Sequence, residues 1–147
     1  MSFKLVKGFN QSQPMHCATS SSVTAGDLCV FDVSAGAAVF KVIQATASLL
    51  GCNVAGVAMN TPASGDTTVN ILPITTGQLW EYDCTDNSLT TMLGKLNDLT
   101  DAATVANSAT NSTAATAFVR NIEFVGAAAD KKMRGYIIAP QSAKALS

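Results

Sequence analysis

The sequence predicts an all-β fold, a small barrel or a sandwich, and three observations carry that reading. Short apolar runs alternate with period two, most cleanly in Leu79–Cys84, where Trp80, Tyr82 and Cys84 fall on one face and Glu81 and Asp83 on the other. Gly, Pro, Asn and Ser clusters break the chain into pieces of strand length. No segment sustains a 3.6-residue apolar period long enough for a helix of ordinary length.

At 147 residues the chain suits one domain. It divides into an N-terminal segment (1–22), a β domain (23–140) and a short tail (141–147). The first segment contains Gly8, Asn10, Pro14 and a Thr-Ser-Ser-Ser run, with Phe3, Leu5 and Val6 as its apolar cluster. It is expected to be an extended arm that orders mainly against a partner. A hairpin follows. Gly26-Asp27 leads into Leu28–Asp32, Ser34-Ala35-Gly36 turns the chain, and a second apolar run passes Lys41.

Val54–Met59 and Thr67–Ile74 form the next pair, joined by a turn that uses Pro62 and Gly65. Val69 and Ile71 share one face, Thr68 and Asn70 the other, and Pro73 marks a strand end. Residues 88–100 read as strand and turn rather than helix, because the Thr pair and Gly94 weaken a helix. The stretch from Ala102 to Ala117 lacks bulky residues and reads as an exposed hairpin or a long loop. A last hairpin closes through the Ala-Ala-Ala-Asp-Lys-Lys turn, with Phe118, Ile122 and Phe124 expected on one face and Pro140 ending it.

Composition narrows the function. Charged residues are 13% of the chain while hydrophobic residues are 48%, about half the usual charged share. So few charges suit a protein whose surface is partly buried against partners. Net charge is −1, and the densest basic group, Lys131, Lys132 and Arg134, adjoins Asp130. Nucleic-acid binding, which depends on basic patches, is not expected. The uncharged stretch Val42–Gly65 is interrupted by Gln44, Asn53 and Asn60, so it reads as buried strands and not as a membrane span.

No constellation for catalysis is evident, and neither a cofactor nor a metal is expected. The one histidine, His16, sits beside Cys17, but neighbours in an extended chain point apart, and no third group orients them. Cys17, Cys29, Cys52 and Cys84 are solitary, which gives no zinc frame; reduced thiols and synthesis in a cytoplasm are expected. Asp83, Asp86 and Asn87 resemble a piece of a calcium loop without its Gly and closing Glu. Trp80 and Tyr82 are candidates for core packing or, second, for a subunit interface; a carbohydrate-binding module would use them as a stacking platform.

The order of segments resembles the head decoration (cement) proteins of tailed phages, including the lambdoid trimeric type. An N-terminal arm precedes Thr24–Asp32, a middle block Ala55–Tyr82 and a late hairpin around Val125–Lys132. The resemblance covers roughly residues 20–140. It implies a virion protein made in the host cytoplasm that binds the major capsid protein on the capsid exterior, as a homo-oligomer with a trimer favoured. It implies no nucleic-acid or membrane partner. Phe3, Lys4, Leu5, Val6, Lys7 and Phe9 would be the capsid-binding arm, adding a strand to a shell subunit, with many copies engaged together. A tail-tube, head-fibre or spike component is the alternative place on the particle. An arm of this kind could be removed, through residue 14, without unfolding the body.

Overall fold

A computed structural model describes residues 3–17, 23–32, 41–44, 54–75, 77–113 and 117–138. The Ser34-Ala35-Gly36 turn, Cys52, Pro140 and the tail lie outside the described residues. The fold is all-β, as the alternation predicts. Eleven strands run through the described residues: β1 (Lys4–Lys7), β2 (Gln13–His16), β3 (Leu28–Asp32), β4 (Lys41–Gln44), β5 (Val54–Ala58), β6 (Thr68–Leu72), β7 (Leu79–Cys84), β8 (Leu96–Asp101), β9 (Thr104–Ala106), β10 (Val119–Phe124) and β11 (Lys132–Ile137).

Five strands close a barrel in the order β7-β11-β10-β8-β9, and a parallel β9–β7 pairing shuts the ring. The outer edge of β7 is shared: β9 pairs with its end at Asp83 and Cys84, while β1 pairs with its beginning at Leu79 to Glu81. The second sheet has the order β2-β6-β5-β3-β4 with antiparallel neighbours. Its two edge strands, β2 and β4, approach within 8 Å, so the sheet curls almost onto itself.

Two apolar clusters follow from this arrangement. The larger fills the barrel and its junction with the curled sheet, bringing Leu28, Val30, Val57 and Leu72 against Trp80, Tyr82, Phe118 and Met133. The smaller lies on the other side of β3 and β6 and gathers Cys17, Val23, Cys29, Val69 and Ile71. Main-chain bonds tie the two sheets: Leu28 N–H donates to Ala102 O at 2.8 Å, and Phe3 N–H to Gly26 O at 3.1 Å.

The N-terminal segment corrects the expected arm. Residues 3–17 supply β1 and β2, and so take part in both sheets of the body itself. The Phe3 ring is 2% exposed; its centroid lies 5.7 Å from that of Tyr82 and, edge-on, 6.4 Å from that of Phe118. One buried aromatic and two ladders outweigh the polar character that suggested an arm, since a phenylalanine side chain alone gains about 1.5–3 kcal/mol on burial.

β10 corrects a second expectation. Phe118 and the next residue, Val119, are both buried, so the alternation breaks at the entry to the strand. From there Val119 and Asn121 form the inward set and Ile122 faces out at 39% exposed. A bulge at Ile122, between Asn121 and Glu123, follows, and Phe124 at the strand end is 38% exposed, so neither joins Phe118. The segment 88–100 is turn and strand as predicted, with a single 3-10 turn at Thr90–Met92 ahead of β8.

Three buried asparagines anchor the loops of this end. Asn107 Oδ1 accepts from Asp86 N–H at 2.9 Å, and its Nδ2 donates to Asp86 O at 3.0 Å. Asn97 Oδ1 accepts from Ser108 N–H at 3.1 Å and from Asn121 Nδ2 at 2.6 Å. Asn121 Oδ1 in turn accepts from the Tyr82 hydroxyl at 2.7 Å. The loops of residues 85–113 are thus held by hydrogen bonds as well as by the burial of Met92, Leu99 and Val105 in the larger cluster.

The described cysteines, Cys17, Cys29 and Cys84, are free and buried. Burial, reinforced by Asp27, pushes the Cys29 thiol up to about 12; burial, reinforced by Asp83, pushes the Cys84 thiol up to about 12. Both should resist a maleimide at pH 8 in the native protein and react at once in denaturant, which mass spectrometry of labelled peptides would read. The raised values also set a pH dependence. Unfolded thiols ionise near the ordinary value of 9.0 while the folded ones stay neutral. Their contribution to stability is therefore intact below pH 9 and is lost as pH rises towards about 12.

Candidate interaction surface

The residues expected to touch a partner are split by the fold between core and surface. Trp80 and Tyr82 are both 0% exposed and line the barrel interior, which removes them as an interface or a stacking platform. Strand alternation explains this, because their side of β7 is the inner one. Trp80 Nε1 is buried with no hydrogen-bond partner among the described residues. Phe3 is core; Leu5 sits opposite Trp80, and Val6 occupies a bulge in β1, both half-buried. Lys4, Lys7 and Phe9 are exposed.

Register places Lys4 and Lys7 on the outer face of β1-β7-β11-β10, in transverse rows. One row runs Lys4, Glu81, Arg134, Glu123 across the four strands. Its charges alternate and engage: Arg134 Nε lies 3.4 Å from Glu81 Oε1, and Arg134 NH1 lies 3.3 Å from Glu123 Oε1. A second row holds Asp83 and Lys132, which form an ion pair. The hydrogen bond to Asp83 is the main cause of the raised Lys132 pKa. Both rows are neutral in sum. As half-exposed pairs they contribute little to stability.

The remaining row differs. Lys7 stands opposite Leu79, Leu79 opposite Tyr136, and Tyr136 opposite Arg120. The row carries two cations and no carboxylate. Tyr136 is 43% exposed between them. Arg120 NH1 donates to Gly94 O at 2.9 Å, which orients the guanidinium and leaves further N–H groups facing outward.

At the Lys7 end the chain is pinned by Gln78, a buried polar residue. Its Nε2 donates to Phe9 O at 2.6 Å and to Pro73 O at 3.2 Å, while its Oε1 accepts from Thr75 N–H at 2.6 Å. Gly8, at φ 118°, passes so close to Gln78 that a Cβ would lie 2.9 Å from Cγ. Only glycine fits there. The clamp holds Phe9 in place with its side chain 51% exposed. Beside it, Phe3, Lys4, Leu5, Asn10, Ala58 and Met59 line a cleft of about 250 Å³.

Sequence reasoning found Lys4, Lys7 and Phe9 but assigned them to a free arm, and it passed over Leu79, Arg120 and Tyr136. The alternation of Lys132–Ile137 already sets Tyr136 on the face of Arg134; the pairing that brings Lys7 and Arg120 into line with it is not local.

No protein-family model matches the sequence, and no curated protein matches it. Among solved structures the chain is similar to the N base of the head fibre protein gp8.5 of bacteriophage phi29. The TM-score is 0.56 at 17% identity, over 91% of this chain and 97% of that one. The two share a fold along nearly their full lengths.

Proposed function

We propose that the protein is a non-enzymatic structural component of a phage particle, attached to the outside of the head. The observation that carries this is the shared fold, which extends over 97% of the phi29 head-fibre base and is not confined to a common sub-motif. The low share of charged residues agrees with a chain that spends its working life against other subunits.

Two positions on the head fit. The protein serves as the base of a head fibre, in keeping with the neighbour's name, or as a decoration protein that clamps the shell by contact with the major capsid protein. A homo-oligomer, a trimer in the favoured case, suits either position. The carbohydrate-module reading loses its support, since the stacking platform it requires is buried.

Purified protein should co-sediment with shells that lack it. Electron microscopy of the decorated shells would then separate the positions: discrete projecting bases for a fibre, a regular low-profile lattice for a cement. Absence of binding to shells from a host particle that encodes the chain would exclude both.

A further inference from the structure

The geometry points to the Lys7–Leu79–Tyr136–Arg120 row as a docking stripe for an acidic protein surface. This rests in part on the particle reading above, because the acidic surface is taken to belong to the shell; the stripe itself rests on the register alone.

Four observations carry it. The first is charge placement. The face β1-β7-β11-β10 has three rows, and the two that contain carboxylates sum to zero, Lys4 and Arg134 against Glu81 and Glu123 in one and Lys132 against Asp83 in the other. The uncompensated charge of the face is therefore concentrated in one row, as Lys7 and Arg120. In a chain of net charge −1 this is a local reversal of sign.

The second is composition. Tyr and Arg are the residue types that most often dominate binding energy, and here they are cross-strand neighbours with a half-buried Leu79 beside them. The third is preorganisation. The Arg120 guanidinium is held through Gly94 O, and the Gln78 clamp fixes the main chain at Phe9 at the other end, which lowers the loop and guanidinium freedom lost on binding.

The fourth is reach. Lys7 and Arg120 are separated by three strand spacings, about 14 Å at roughly 4.8 Å each. Two cations at that distance match carboxylates spread over a protein surface. They are too few for a phosphate backbone, whose binders neutralise many charges along a tract.

The test compares the full chain with the variants Lys7→Glu/Arg120→Glu and Lys7→Glu/Tyr136→Ser, and with Lys131→Glu, in the β10–β11 turn and matched in charge to the second variant, as a control off the stripe. Circular dichroism and thermal unfolding first establish that each is folded; the second variant spares the Arg120–Gly94 contact and serves if the first is not. Each is then assayed against empty shells and against immobilised poly-L-glutamate at 50 and 300 mM salt.

The expected result is wild-type binding to both probes that weakens with salt, at least a tenfold loss in both stripe variants, and none in the control. Wild-type binding to shells with unchanged affinity in the stripe variants overturns the stripe and leaves the particle reading intact. Loss of poly-L-glutamate binding in the variants, with no shell binding by any protein, upholds the stripe and sinks the particle reading. Retention on single-stranded DNA instead of poly-L-glutamate, or salt-sensitive self-association abolished by the variants, assigns the row to another partner and overturns the proposal.

Discussion

Replacing Phe3 with alanine is expected to lower the free energy of unfolding by about 3–5 kcal/mol, the range for truncating a fully buried phenylalanine. Phe3 is 2% exposed and packs on Tyr82 and Phe118, at the point where the barrel meets the curled sheet. The cavity left behind would be bounded by strands of both sheets, tied by main-chain bonds that leave little room for collapse. Urea unfolding followed by Trp80 fluorescence would measure the loss. Deleting residues 1–14 should do more, since it also removes β1 and the edge strand β2, up to Pro14, from their ladders. The truncated chain is expected to be unfolded or aggregated, in contrast to the intact body that a free arm would leave. A Phe3→Ala variant within 1 kcal/mol of wild type would sink the docked-segment account.

Gly135→Ala is expected to be the most damaging single-methyl change in the barrel. Gly135 faces inward on β11 opposite Asn121, and an added Cβ would fall 2.5 Å from the Tyr82 hydroxyl and closer still to Arg120 O. The backbone carbonyl cannot swing aside without opening the β10–β11 ladder. The Tyr82 hydroxyl reaches over this glycine to Asn121, which hands the bond on to Asn97. Over-packing of a core costs about 1–3 kcal/mol, and a buried polar group stripped of its partner a further 1–3 kcal/mol.

Companion variants separate the two terms. Tyr82→Phe removes one donor and should cost less than Asn121→Leu, which orphans the Tyr82 hydroxyl and one acceptor bond of Asn97 together. A double-mutant cycle between Tyr82→Phe and Asn121→Leu should show coupling, because each single change disables the same bond. Additive effects would mean that the chain of bonds does not act as a unit.

The surface residues divide along the same line between local and distant causes. Local pattern suffices for β6, β7 and β11, where residues two apart share a face and the apolar set chooses the inner one. It also suffices for the hairpin of β10 and β11, whose turn closes with Asp130 Oδ2 accepting from Ala127 N–H at 2.9 Å and Lys131 at φ 54°. It fails at β10 itself, because Phe118 and Val119 are buried in succession, which sets Ile122 outward with Arg120, and because the bulge at Ile122 is one unpaired residue that no alternation announces.

By itself, then, the sequence determined the β class, most strand positions and the inward face of Trp80, Tyr82 and Cys84, all of which follow from periodicity over a few residues. Only the tertiary structure decided that residues 3–17 belong to the body, that Asn97, Asn107 and Asn121 are buried and anchor the neighbouring loops, and that Lys7 and Arg120 stand in one row. The physical reason is common to all three. A polar or weakly apolar segment has no period to read, and its place is chosen by distant partners: the rings of Tyr82 and Phe118 for Phe3, Leu79 for Lys7, and hydrogen-bond partners 10 to 40 residues away for the asparagines.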